Sequence, residues 1–506
     1  MSLRDLVIRS ARKTPDALAV KGPDQSLSYQ QLDRLANRLA RALSRLGVKH
    51  GDRVGIWLDK SANAVAAMQA ILRLRAVYVP LDPISPVARV HVIVRDCEMS
   101  ALVTTHKRAQ SVLGDDLGDL ACLCLDGETP GPGLGQKDLH ALSDEALPVS
   151  ESDENEIAYI LYTSGSTGQP KGVCISNRNA LAFIDWAAQA LQATAADRFA
   201  NHAPFHFDLS VLDLYVAFSV GATVVLVPDG IAYLPGRLVN FIVNEAPTIW
   251  YSVPSALIMM MEQGNLLSHL HLPLRAVLFA GEPFPIKHLR RLYQCWPAVR
   301  FLNLYGPTET NVCTFYEVTQ IPEDQLTPVP IGKACSSDRV WAQKEDGSIA
   351  SSGEEGELMV VGPTVMVGYW GRPPQGDAPY ATGDIVRLQG DDNYLYVGRR
   401  DHMVKVRGYR IELGDVETAL LAHPAIHETA VVVSGNDWEA CLLAFVVLNG
   451  DAVPSLLEIK QHCAQRLPRY MIVDRVEYVS SLPRTRNGKI DRLSLLRHLS
   501  LDNRSV

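Results

Sequence analysis

Leu32, Leu35, Leu39 and Leu43 recur at the spacing of one helix face, and Ser28 with Gln31 ahead of them forms a capping box. Residues 29–45 are therefore predicted to be an amphipathic helix. Gly51-Asp52 gives way to Arg53–Leu58, a predicted strand, then to a helix over about 61–74 and a second strand, Val77–Leu81. Strand–helix–strand alternation of this kind predicts a mainly parallel sheet with helices on its faces. Residues 126–156 break the pattern. Pro130, Gly131, Pro132, Gly133 and Gly135 lead into an acidic patch, which reads as a solvated surface loop. Alternation resumes from about 179 to 305, with Val220–Val227 and Arg275–Ala280 as buried strands.

From about 328 the chain changes to short strands set off by Gly and Pro: Gly356–Val361, Asp384–Leu388 and Tyr394–Gly398. These predict a small β subdomain over about 328–400. Gly398-Arg399-Arg400-Asp401 is a charged, glycine-led junction. Beyond it, strands near 404–407, 428–433 and 441–448 with helices near 414–422 and 455–466 predict a small α+β domain. The expected organisation is α/β: a large N-terminal domain, 1–400, and a small, mobile C-terminal domain, 401–506.

A length of 506 residues fits roughly three folding units. A 47% hydrophobic and 21% charged composition is that of a globular protein with sizeable cores. The net charge of -8 removes the basic excess that marks a nucleic-acid binder. Nine scattered cysteines without metal-like spacing read as reduced thiols of a cytoplasmic protein. The charged N-terminus lacks the apolar core of a signal peptide, and no apolar run is long enough to span a bilayer.

The densest chemistry lies in Tyr162–Gly172. Its Gly, Ser and Thr residues follow a short apolar run, Ile157–Tyr162, and close on Pro170-Lys171-Gly172. Glycines let backbone N–H groups approach an anion, hydroxyls add donors, and the lysine adds a point charge, so this is a phosphate cradle. It is not the P-loop pattern, because Lys171 precedes Gly172 rather than Ser or Thr. A flexible linker would not be launched from a buried strand. Asn303–Thr310 groups an aromatic ring, a hydroxyl and a carboxylate at a strand end, where open α/β sheets bind ligands. Tyr305 is suited to stack on a base and Glu309 to hold Mg2+; an ordinary Asn/Gly/Pro turn explains this motif alone equally well. Asp384, read as following a turn, can accept from a ribose diol; taken alone it reads as an ordinary turn aspartate. Asp208 stands among apolar neighbours, as a helix N-cap or as the partner of a substrate ammonium. Lys489 is presented on a glycine turn, Asn487-Gly488-Lys489, from which a lysine can reach into a site on another domain; taken alone it reads as a solvated surface lysine.

Separately these signals are modest; their order and spacing are not. The chain resembles the adenylate-forming superfamily of acyl-CoA synthetases, luciferases and the adenylation domains of non-ribosomal peptide synthetases. The resemblance runs from Leu27–Leu32 to Lys489. It is strongest to the amino-acid-activating group, through Tyr78–Asp82, Thr163–Gly172, Phe207–Ser210, Asn303–Glu309, Gly356–Leu358, Thr382–Asp384, Gly398–Asp401, Val404–Gly414, Leu467–Met471 and Asn487–Lys489. Departures fall at Leu74-Arg75, where the family usually has Ala-Gly, and at Val367, Ala381 and Asp474. They bear on local packing.

The resemblance implies an ATP- and Mg2+-dependent ligase that forms an aminoacyl adenylate and passes the acyl group to the phosphopantetheine thiol of a peptidyl carrier protein. Thr163, Ser164, Gly165, Ser166, Thr167, Gly168 and Lys171 would bind the β- and γ-phosphates. Tyr305 would stack on adenine, near Gly281, Glu282 and Asn303. Thr308 would touch the α-phosphate, Glu309 the Mg2+, and Asp384 with Arg399 the ribose. Lys489 would bridge the substrate carboxylate and the α-phosphate. Asp401 would be the hinge that presents the Gly408 segment to the thiol. Only a short segment follows Lys489, without a Gly-Gly-x-Ser carrier site, so the expectation is a free-standing enzyme serving its carrier in trans.

Alignment to the family places Asp208, Leu209, Leu212, Tyr251, Leu278, Ala280, Leu304, Val312 and Cys313 in the amino-acid pocket. Apart from Asp208, with Lys489 at the carboxylate end, none is charged. Such a pocket accepts a small apolar amino acid and rejects Asp, Glu, Lys and Arg. The residues alone do not separate proline from valine or leucine. The set is similar to that of free-standing prolyl-adenylating enzymes that begin pyrrole formation in pyoluteorin-, prodigiosin- and anatoxin-type pathways. L-Proline is therefore the expected substrate, with another small apolar amino acid as the runner-up and an acyl-CoA synthetase for a small carboxylic acid as the rival class.

Overall fold

The computed structural model describes residues 1–496 apart from 114–116, 149–150, 152, 165–168, 401–402, 436–439, 451, 485–489 and 493. The chain divides into two compact units. One holds 1–83, 94–162 and 172–400; the other holds 84–93, 163–171 and 401–506.

The first unit is built on two large sheets. In the nine-stranded sheet the order is 333–334, 314–318, 300–305, 276–279, 249–252, 198–201, 223–226, 18–21 and 26–28. Its six central strands, from Arg300–Tyr305 to Leu18–Lys21, pair in parallel. The eight-stranded sheet runs 368–369, 171–176, 157–163, 77–80, 53–56, 101–104, 121–124 and 133–134. Helices cover these sheets as the alternation predicts. Tyr29–Arg45 begins at its capping box, with Ser28 Oγ accepting from Gln31 N, and buries Leu32, Leu39 and Leu43. Ala62–Arg73 is capped by Ser61, and every residue from Ala64 to Arg73 is buried. A four-stranded antiparallel sheet of Arg339–Gln343, Glu355–Val361, Tyr380–Leu388 and Tyr394–Arg399 forms the β subdomain.

Three segments differ from expectation. Residues 126–156 carry a short strand, Gly133–Leu134, and a helix, Gln136–His140, rather than loop alone. Burial of Leu139 and Leu142 in the main core stabilises them. The apolar stretch Val220–Val227 is not one strand: a helix ends at Val220, Gly221 caps it at φ 77°, and the strand is Thr223–Leu226. Asp384 does not follow a turn but sits inside the strand Tyr380–Leu388.

Arg75 stands where glycine is usual in the family, and its φ is 56°, the left-handed region. Its guanidinium is held by Glu156, which also meets His50 at 3.0 Å. An ion pair thus secures a backbone conformation that arginine adopts reluctantly.

In the second unit, Met403–Val406 and Tyr409–Glu412 form a hairpin whose turn residues, Arg407 and Gly408, both have positive φ, as a type I′ turn requires. Leu413–Leu421 and Leu456–Ala464 are helices, and Ile426–Ser434, Cys441–Leu448 and Arg475–Tyr478 form a mixed sheet. The strands Tyr409–Glu412 and Arg475–Tyr478 were not expected. All nine cysteines are unpaired thiols. Among the described residues no helix is long and apolar enough to cross a membrane.

Candidate active site

Strand register in the nine-stranded sheet assembles the candidate pocket. Asn201 pairs with Tyr251, Tyr251 with Leu278, and Leu278 with Leu302. Side chains alternate along a strand, so Ala280 and Leu304, two residues past Leu278 and Leu302, share the face of Tyr251 and Leu278. Tyr251, Leu278, Ala280 and Leu304 are all buried in the main core, together with Leu212 and Val312; Leu209 packs against it, partly buried. Cys313 is not brought to this cluster. It lies in a separate core with Tyr305, its thiol against the Tyr305 carbonyl at 3.7 Å.

Asp208 stands at the N-cap position of the short helix Leu209–Val211, but its backbone is helical, φ −61°, and its side chain makes no capping bond. The capping explanation for an acid in this apolar setting therefore does not hold. Its charge reaches Tyr251, whose phenol is raised well above its ordinary pKa by burial first, then by Asp208 and Asp213.

The opposite face of the strand Arg300–Tyr305 presents Asn303 and Tyr305. Asn303 donates to the Pro330 carbonyl at 2.8 Å. The Tyr305 hydroxyl donates to Asp384 Oδ2, and Arg399 Nη1 meets Asp384 Oδ1 at 2.8 Å. Asp384 and Arg399 are cross-strand partners, and their side chains are 2% and 8% exposed. The pair is thus desolvated, and losing one member leaves the other buried and uncompensated. Asp384→Asn is expected to reduce stability by about 3–5 kcal/mol, read as a lower urea midpoint. An unchanged midpoint would remove the pair from the core's framework. Gly383, at φ 76°, donates its N–H to Glu357, which also meets Arg400 at 3.2 Å.

The turn after Tyr305 depends on Gly306, where a Cβ would stand 1.7 Å from the Asn311 carbonyl oxygen. This close approach folds Pro307–Thr310 back, with Thr310 N donating to the Pro307 carbonyl. The turn exposes Thr308 partly and buries Glu309, 1% exposed, whose Oε1 accepts from the Tyr369 hydroxyl at 2.7 Å. Gly281 has φ 91°, and Glu282 accepts from Ser255 N at the start of the helix Pro254–Gln263. Glu282 thus has a helix-capping contact of its own.

In the second unit, the buried Ser164 hydroxyl donates to the Arg410 carbonyl at 3.0 Å and accepts from Glu412 N at 3.3 Å. Thr163 ends the strand Ile157–Thr163, and Lys171 opens Lys171–Ser176. Gly408 lies in the hairpin turn. Gly165, Ser166, Thr167, Gly168, Asp401 and Lys489 lie outside the described residues.

Two supporting residues escaped the sequence reading. Tyr369 sits on a two-residue strand, too short for any periodicity to mark it. Glu357 was visible in the Gly356–Leu358 motif, but only its contacts give it a task.

The AMP-binding enzyme family matches residues 7–370, and the AMP-binding enzyme C-terminal domain matches 415–489. The chain is 49% identical to an "L-proline--[L-prolyl-carrier protein] ligase" of Pseudomonas fluorescens, over 98% of this chain and 99% of that one. It is 38% identical to a protein of the same name from Streptomyces coelicolor, over 98% and 96%. Among solved structures, the amide bond synthetase McbA of Marinactinospora thermotolerans superposes with a TM-score of 0.87 at 25% identity, covering 98% of this chain and 99% of that one.

Proposed function

The chain belongs to the AMP-binding enzyme family of ligases, and on that premise we propose that it activates L-proline with ATP and loads it onto a separate carrier protein. The observation that carries the substrate class is the placing of Leu212, Tyr251, Leu278, Ala280, Leu304 and Val312 within the buried apolar core, with the charge of Asp208 reaching Tyr251. An apolar ring is accommodated by such walls. A charged side chain would be desolvated there without a partner. Two relatives named for L-proline, matched over nearly their whole length, favour proline within the class.

Asp208 takes the substrate ammonium. The substrate carboxylate attacks the α-phosphorus, a C–O–P bond forms, and the bond to the pyrophosphate oxygen breaks. Thr308 and Lys489 contact the α-phosphate, and Thr163–Lys171 contacts the β- and γ-phosphates. Tyr305 lies against adenine beside Gly281 and Asn303, while Asp384 and Arg399 hold the ribose. Glu309 suits a magnesium ion: it is a buried carboxylate beside the phosphate-facing Thr308, and Mg2+ takes one or two carboxylates plus substrate phosphates. When bound, the ion offsets phosphate charge. In the second half-reaction the carrier thiol displaces AMP and forms a thioester. Asp401 acts as the hinge between the two half-reactions, and the Gly408 segment lines the thiol's approach. A place in secondary-metabolite biosynthesis, with a free-standing carrier, follows from the same resemblance, and a cytoplasmic setting from the scattered cysteines.

The test is ATP–pyrophosphate exchange across a panel of amino acids, followed by mass spectrometry of a partner carrier protein. Proline is expected to lead in both. Valine or leucine outperforming it would reassign the substrate and keep the chemistry. Activity only with acids that lack an amine, and with coenzyme A as acceptor, would overturn the carrier-loading reading.

A further inference from the structure

Lys60 is a buried cation, 4% exposed, that none of the steps above uses. Its ammonium donates to the carbonyls of Asn201, at 3.1 Å, and His202, at 2.8 Å. It lies 6.0 Å from the Phe205 ring, and its own backbone N–H donates to Asp229. The Asn201 carbonyl ends the strand Arg198–Asn201 and the His202 carbonyl follows it, and from there the chain runs directly through Phe205 to Asp208. The same point is tied to the pocket twice more. Asn201 is the register partner of Tyr251, and its amide donates to Asp213 at 3.2 Å. Asp213 follows Leu212 on a π-helical turn, Leu212–Val216, a distortion frequent at functional sites. Asp213 is fully buried, and its Oδ1 has no partner.

We propose that Lys60 is a positioning residue for amine recognition: its ammonium fixes the carbonyls from which the Asp208 segment departs, and so sets where the Asp208 carboxylate meets the substrate. This rests on the reading of Asp208 as the amine's partner.

The charge state of Lys60 makes the idea testable. Burial pushes it down from 10.5 to about 8, against the pull of Asp229 and Asp213. A lysine lowered in this way adds stability above its unfolded value and loses it as pH falls through the folded one. At neutral pH the fold therefore keeps this ammonium at a cost. The titratable groups facing it are Asp213 on the π turn, raised well above its ordinary value by burial, Asp229 after the strand Thr223–Leu226, and His202. Burial pushes His202 down to about 4, so it stays neutral above pH 7. His206 lines the same small cavity as Lys60, Phe205 and Asp229.

The experiment is pyrophosphate exchange from pH 7 to 9 with the amino acid the panel selects, using wild type, Lys60→Arg, Lys60→Met and Asp208→Ala. The wild-type KM for the amino acid is expected to rise several-fold above pH 8, with KM for ATP flat. Lys60→Arg, which keeps its charge, should lack most of that rise. Lys60→Met should show a KM for the amino acid raised roughly 10- to 100-fold at pH 7, with no further dependence on Lys60 ionisation and with KM for ATP unchanged. A full rise persisting in Lys60→Arg assigns it to another group and overturns the proposal, as does an unaltered amino-acid KM in Lys60→Met. Should one variant fail to fold, the other decides. An unchanged amino-acid KM in Asp208→Ala would instead overturn the reading of Asp208, an outcome the Lys60 variants cannot produce.

Discussion

Replacing Asp208 by alanine is expected to raise KM for the amino acid about 10- to 150-fold, with KM for ATP within about twofold, because a charge-assisted hydrogen bond contributes about 1.5–3 kcal/mol. The structure sharpens this expectation. Had Asp208 been a helix cap, its removal would loosen the following turn and disturb both substrates together. Its side chain makes no capping bond, so the two effects separate. Asn303 and Tyr305, the residues proposed to face the nucleotide, stand on the other face of the strand Arg300–Tyr305 from Leu304, which should insulate ATP from the change. Steady-state exchange kinetics with each substrate varied in turn measure the split. ATP affinity falling in parallel with that of the amino acid would return Asp208 to a structural role.

Lys489→Ala is expected to slow adenylate formation roughly 10²- to 10³-fold, the usual effect of removing a preorganised donor from a site of developing charge. Thiolation of a supplied adenylate should continue near the wild-type rate. The physical reason is asymmetry between the half-reactions. Bringing a carboxylate to an α-phosphate opposes two anions and calls for a cation between them. Thiol attack on the mixed anhydride expels AMP and needs no such bridge. Exchange measures the first step, and carrier loading from synthetic adenylate measures the second. A variant that exchanges pyrophosphate at the wild-type rate would sink the assignment.

Local signals in the sequence were legible where one element carried the whole pattern. Tyr29–Arg45 begins at the residue its capping box marks and buries Leu32, Leu39 and Leu43 of the leucines its periodicity aligns, with Leu35 partly buried. The Val220–Val227 stretch misled because a continuous apolar run reads the same as a buried helix end or a buried strand; Gly221, left-handed, was the available clue. Gln136–His140 is five residues long and held by Leu139, less than periodicity can register. The site divides in the same way. Asp208 was visible because charge is rare among apolar neighbours. Lys60 comes from a segment distant from Asn201 and Asp213, and it directly precedes the helix cap Ser61, where no pattern singles it out. A polar network assembled only by tertiary packing leaves no periodic trace.

The strand Arg300–Tyr305 turns Leu304 toward the proposed amino-acid pocket and Tyr305 toward the core behind Asp384. On the proposed reading, two recognition tasks are thus interleaved on one backbone, separated by parity instead of distance. Substitutions at Leu278, Ala280 or Leu304 change one face while the other remains intact, which gives the pocket freedom to drift between related amino acids over descent. Insertion or deletion has no such freedom. A slip of one residue would swap the faces and bring the tyrosine into the pocket. This segment can therefore diversify by replacement while its length stays fixed.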